Sequence, residues 1–194
     1  MSLRTVKSLP EGYAFHGQID LNKAEQRIVR LIHLVLGLVP TVLGILLAPP
    51  FTQTFNVDNL MLLAIKTLTV SIGAILYIIG HEAVHGIVMW QLSHVKPTFG
   101  FSIRNGNAFA GSTAYFAKTP YLIVALVPLL FWGVVLGALC VLVPRDWFWI
   151  VYLIQILNLS GAAGDLYVSI RILKMPSDVL VQDSGMEMKL YAKS

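Results

Sequence analysis

The sequence has little charge and almost no cysteine. Asp, Glu, Lys and Arg make up 12% of its 194 residues, whereas 56% are hydrophobic, and ordinary soluble domains carry roughly twice that share of charge. The single cysteine, Cys140, lies inside an apolar run, so no intramolecular disulfide forms and no redox compartment follows. No internal repeat, low-complexity tract, Gly-rich phosphate loop or nucleophile elbow is present, which leaves P-loop and serine-hydrolase chemistry without support. Nor is there a basic run interleaved with aromatics, so a net charge of +4 does not indicate a nucleic-acid partner.

What is there is apolar sequence in blocks, at a mean hydropathy of +0.73. Four blocks run approximately Ile28 to Ala48, Leu60 to Trp90, Thr119 to Val143 and Trp147 to Leu173. Crossing about 30 Å of hydrocarbon takes roughly 20 helical residues; the second and fourth blocks are long enough to tilt or overshoot. The expected fold is an all-α membrane protein of about four transmembrane helices, with the lipid bilayer as its surroundings. It divides into a cytosolic leader over 1–27, a four-helix transmembrane domain over 28–173 and a cytosolic tail over 174–194.

The Lys and Arg residues point to topology. Arg4, Lys7, Lys23, Arg27 and Arg30 precede the first helix; Lys96, Arg104 and Lys118 lie between the second and third; Arg171, Lys174, Lys189 and Lys193 close the chain. The first and third loops hold only Arg145. Under the positive-inside rule both termini and the middle loop face the cytoplasm, as an even number of spans requires. A cleaved signal peptide is the alternative for the first block, but Ala48 before Pro49 is a poor cleavage site and the polar leader is long.

Asn22 and Glu25 are spaced like a capping box, so a helix is expected from near Lys23, with a kink at Pro40. Lys66, near the outer end of the second helix, is placed to snorkel outward. In the middle loop a hairpin is expected over 97–117, turning at Asn105-Gly106, with Phe99, Phe101, Ile103 and Phe109 on an apolar face. Its open edge can hold an unwound peptide by strand addition; a surface hairpin packed on the bundle is the plainer alternative. In the tail, Val179 to Val181 and Met186 to Leu190 can form a second hairpin around Asp183-Ser184-Gly185, or the end is unstructured.

Chemistry concentrates in Gly80-His81-Glu82-Ala83-Val84-His85-Gly86, an HExxH pattern inside an apolar helix. Histidines four apart project from one helix face, as two ligands of one metal require. Glu82 lies beside that face, where it serves as general base without taking a coordination position. Ionisable groups at membrane depth are costly and usually functional, although a satisfied polar cluster joining helices is the structural alternative. Zinc wants a third protein ligand, and Asp165, the only acid well inside the fourth block, is the best candidate. At a rise of about 1.5 Å per residue it comes to a depth similar to that of His81, nearer the cytoplasmic face. Small residues around it, Ser160-Gly161-Ala162-Ala163-Gly164, allow close helix approach. Asn158, two turns up the same helical face, is placed either to donate to an oxyanion or to hydrogen-bond between helices. His16, His33 and His94 are isolated, and Gln91 and Val88 exclude the metzincin pattern.

On these residues the sequence resembles the membrane-embedded zincin peptidases, relatives of the site-2 proteases that cut within membranes. The resemblance spans nearly the whole chain: Leu9-Pro10-Glu11-Gly12-Tyr13, the HExxH helix, Lys96-Pro97, and Asn158 with Gly164-Asp165. It implies His81, His85 and Asp165 as zinc ligands, Glu82 as base and a membrane protein as substrate. One departure is that Gly164 precedes Asp165 and Leu166 follows it, where the site-2 pattern puts a glycine after its aspartate. No room is expected for a regulatory PDZ-like domain, and oligomeric state is not legible. The rival readings are a catalytically silent scaffold keeping a structural metal or polar cluster, and a metal or solute transport component. The second calls for polar groups spread over several helices, and here they gather at one depth.

Overall fold

The computed structural model describes residues 5–21, 26–102, 107–185 and 187–193. The expected capping box and helix start at residues 22–25, Ile103, the Asn105-Gly106 turn and Met186 lie outside these. In chain order the elements are β1 (Thr5–Val6), β2 (Tyr13–Asp20), α1 (Gln26–Leu47), α2 (Phe51–Thr54), α3 (Leu60–Ser93), β3 (Thr98–Ser102), β4 (Asn107–Gly111), β5 (Tyr115–Ala117) and α4 (Lys118–Leu142). A 3₁₀ turn over Arg145–Trp147 then leads into α5 (Phe148–Gly161), α6 (Ala163–Leu173), β6 (Leu180–Asp183) and β7 (Glu187–Lys193).

Four helical stretches are long and apolar enough to cross a membrane: Arg27–Leu47, Leu60–Ser93, Lys118–Leu142 and Arg145–Leu173. Large apolar side chains such as Leu31, Leu34, Leu38 and Leu46 are exposed along α1. Contiguous apolar surface of this kind suits lipid and not water. The fourth stretch is broken at Ala162, between Gly161 and Gly164, where glycine lowers helix stability by about 1 kcal/mol per residue against alanine. Asn158 therefore stands on α5 and Asp165 on α6.

The all-α expectation is corrected by the strands. Besides the hairpin β3–β4 there is a five-stranded antiparallel sheet in the order β1-β5-β6-β7-β2. The leader reads as polar because β2 leaves most of its side chains outside the core, with Ile19 fully buried. In the hairpin, Phe109 lies opposite Gly100, so its ring shares that residue's face, and Phe99 and Phe101 occupy the other. The single apolar face expected of these three rings is thus divided between two.

By its contacts the chain forms two compact units, one of Met1–Val29, His81–Pro128 and Gly164–Ser194, the other of Arg30–Gly80 and Leu129–Ala163. In the second, Tyr77, Leu136 and Ile154 form a buried cluster flanked by Trp132, Val151 and Leu157. Lys66 does not snorkel into open surroundings. It is 1% exposed, and its ammonium donates to the Asp146 carbonyl at 2.7 Å while lying over the Trp147 ring. His33, as expected of a lone histidine, is satisfied locally: its Nδ1 lies 2.9 Å from the Ser160 carbonyl in the last turn of α5.

In the first unit β2 pairs with β7 from Tyr13 opposite Lys193 to Asp20 opposite Glu187, with an irregularity between Phe15 and Gly17. The turn joining β6 to β7 is organised by Asp183. Its Oδ1 accepts from the Gly185 N–H at 2.7 Å, Gly185 supplies the positive φ of 93°, and Oδ2 accepts from the Tyr121 hydroxyl at 2.7 Å. The Ser112 N–H donates to the Asp183 carbonyl at 2.7 Å, so one tail residue is bonded to α4 and to the chain after β4.

Burial pushes the Asp183 carboxyl above the ordinary carboxylate range, and the donors Tyr121 and Gly185 oppose that shift only in part. A raised folded-state value means the folded protein binds more protons than the unfolded chain between the two values. Stability contributed at this residue is therefore present at acid pH and is lost as pH rises from the ordinary carboxylate value of 3.8 through the raised one. Asp183→Asn should flatten that part of the pH–stability curve in thermal or denaturant unfolding, while Tyr121→Phe should destabilise by about 1–3 kcal/mol at neutral pH by leaving the buried carboxylate short of a donor.

Candidate metal centre

The HExxH helix is α3, and its registry follows from its continuity. An unbroken α-helix over Leu60–Ser93 puts His81 and His85 one turn apart on one face, ring centroids 5.0 Å apart. Both histidines are buried, at 7% and 8% exposure. Asp165 stands in the first turn of α6, where a carboxylate complements the positive end of the helix dipole. Its helix is held at the other end by α4: the Lys118 ammonium donates to the carbonyls of Leu173 and Met175 at 2.8 and 2.6 Å.

The three side chains converge. His81 Nε2 lies 3.3 Å from Asp165 Oδ2, and His85 Nε2 lies 3.6 Å from Asp165 Oδ1. One ligand atom from each of the three residues can be chosen so that all lie within 4.8 Å of one another. Two donors at 2.0–2.2 Å around a tetrahedral ion sit about 3.3 Å apart, so these separations suit one zinc ion. The donor chemistry agrees, since two imidazoles and a carboxylate are ligands zinc takes in open, catalytic sites. The His85 ring is oriented from behind: its Nδ1 donates to the Val124 carbonyl on α4 at 2.9 Å, and its Nε2 is turned to Asp165.

Glu82 lies beside this face and is partly buried. Its carboxylate is within hydrogen-bond reach of the Ala110 backbone N–H on β4. The hairpin carrying Ala110 comes close to α3 at Gly86, where the Phe99 ring and Pro97 occupy the space a Cβ would need. A Cβ at 86 would require the Phe99 ring to swing aside. No strand pairs with β3 on its far side among the described residues, so that edge is open.

Asn158 has a different setting. It is fully buried in the second unit, accepts from the Tyr77 hydroxyl at 3.1 Å, and donates to the Leu129 carbonyl and Gln155 Oε1 at 3.3 and 3.4 Å. Of its two expected roles, the bonds between helices are the one on display. Residues that composition did not single out are the donor Ala110, the acceptor Val124 and the Tyr121–Asp183 pair. Two of the three act through backbone groups, which no side-chain motif records.

A family model described as "putative zincin peptidase" matches residues 74–180, more than half of the chain, from within the HExxH helix to the start of β6. No curated protein and no solved structure matches the chain.

The geometry predicts that purified protein binds zinc and that Asp165→Ala weakens binding by more than the roughly 10–100-fold typical of losing an outer-shell partner. Elemental analysis and chelator competition in detergent measure this, and an unchanged affinity would remove Asp165 from the ligand set.

Proposed function

For a chain that belongs to the putative zincin peptidase family, we propose the activity of a zinc metallopeptidase that hydrolyses peptide bonds in membrane-spanning or membrane-proximal segments of other proteins. The observation that carries this reading is the meeting of His81, His85 and Asp165 at zinc-donor spacing with Glu82 beside them.

His81, His85 and Asp165 would hold the ion. Zinc bound there supplies Lewis acidity, lowering the pKa of water towards about 7 and polarising a carbonyl oxygen. Glu82 accepts the proton of the attacking water and delivers it to the amine nitrogen as the peptide bond breaks. The Ala110 backbone on β4 lies beside the Glu82 carboxylate. Asn158 takes no step in this scheme.

The membrane-embedded substrate is the finer part of the proposal. A scissile carbonyl inside a helix is engaged in backbone bonding, so the segment must unwind locally before it is attacked. The open edge of β3 offers the freed strand hydrogen-bonding partners close to α3. Hydrolysis within or beside the bilayer is also what four apolar helical stretches, one of them carrying the HExxH motif, would serve.

Both termini are proposed to face the cytoplasm. The pairing of β2 with β7 supports a shared side, because strands bonded to each other cannot lie on opposite faces of a bilayer. The distribution of Lys and Arg assigns that side to the cytoplasm.

Glu82→Gln should retain zinc and lose about 10²–10⁴-fold in cleavage of a membrane-anchored reporter substrate. A scaffold would keep its cellular role with the same substitution. Reporter fusions at each end should both read cytoplasmic, and one reading outside would overturn the topology.

A further inference from the structure

The His85 ring depends on a carbonyl that an ordinary helix would already be using. In an α-helix the carbonyl of residue 124 accepts from the N–H of residue 128. Residue 128 is Pro128, which lies inside α4 and has no N–H. Its ring also crowds the carbonyl four residues back, tilting it away from the helix axis. Val124 O is therefore left without its intrahelical donor, and the structure shows what takes the position: His85 Nδ1, at 2.9 Å, in a buried setting.

We propose that Pro128 is a positioning residue for the metal site, withholding the backbone donor that would compete for the Val124 carbonyl and so holding the His85 ring with Nε2 turned to Asp165. The inference rests on the zinc-peptidase reading for its consequence, but its geometry lies within the protein alone. Several links make it specific. Val124 is 1% exposed, so water is not at hand to replace the lost bond. The same stretch of α4 is fixed by Tyr121 Oη on Asp183 and by Lys118 on the end of α6, so the carbonyl is presented from an anchored segment. An imidazole needs one nitrogen protonated to leave the other free for a metal, and an N–H bond to a carbonyl sets which one. In the sequence the signal is a proline inside an apolar helix with nothing polar around it, at Ala125-Leu126-Val127-Pro128.

The test restores the missing donor. Pro128→Ala brings back an N–H that bonds Val124 O, while Pro40→Ala makes the same change inside α1 as a control. In full-length protein in detergent, Pro128→Ala should bind zinc about 10–100-fold more weakly by chelator competition, the size of effect seen when outer-shell partners of ligating histidines are lost. Pro40→Ala should bind as wild type. Independently, ¹⁵N spectra of the wild-type protein with labelled histidine should show His85 carrying a hydrogen-bonded proton at Nδ1, and Pro128→Ala should lose that bond. Wild-type affinity in Pro128→Ala together with an unchanged ring would overturn the proposal. So would a wild-type His85 with no proton at Nδ1, a measurement that stands even if Pro128→Ala fails to fold. A wild-type protein that binds no zinc but keeps the Nδ1 hydrogen bond, with that bond lost in Pro128→Ala, would sink the peptidase reading and leave the positioning of His85 by Pro128 intact.

Discussion

Everything chemical in this protein depends on one carboxylate lying between two imidazole nitrogens. Asp165 reaches His81 through one oxygen and His85 through the other, at 3.3 and 3.6 Å. Three such groups taken from water cost several kcal/mol unless they satisfy one another or share an ion. The fold supplies the conditions for that. A continuous α3 sets the spacing of the two histidines, and a broken fourth span starts a fresh helix at Ala163, placing Asp165 where a helix N-terminus favours negative charge.

Around this centre the polar parts of the chain serve as supports. The tail hairpin bonds to α4 through Asp183 and Tyr121, and α4 caps α6 through Lys118. Much of this framework uses backbone groups freed from their usual partners: the carbonyls ending α6 and the carbonyl opposite Pro128. Buried backbone groups need partners, and here the site residues provide some of them.

The helices, their approximate limits and the residues of the His81, His85 and Asp165 cluster were legible because each is written in local pattern. Block length reports a span, and a four-residue interval reports a helix face. Of the sheet, the tail hairpin β6–β7 was legible from its turn at Asp183-Ser184-Gly185, and the other strands were not. β1 and β5 are two and three residues long, and β2 alternates too weakly to announce itself, because strands take their identity from the partners they pair with. Lys66 shows the same limit: a lysine near a span's end reads as snorkelling, and only its proximity to Asp146 and Trp147, some eighty residues away, turns it into a buried cation. The break at Ala162 lay within reach of a closer reading, since Gly161 and Gly164 flank it; the hydropathy of the block concealed it.

By itself the sequence determined the apolar helices and the histidine pair with its neighbouring glutamate, and it singled out Asp165 as the candidate to join them, because these follow from composition and from intervals along a helix. Tertiary structure alone decided that leader and tail form one sheet, that Asn158 bonds between helices, and which carbonyl orients His85. Those outcomes depend on contacts between residues far apart in the chain, where no local period carries information about the partner.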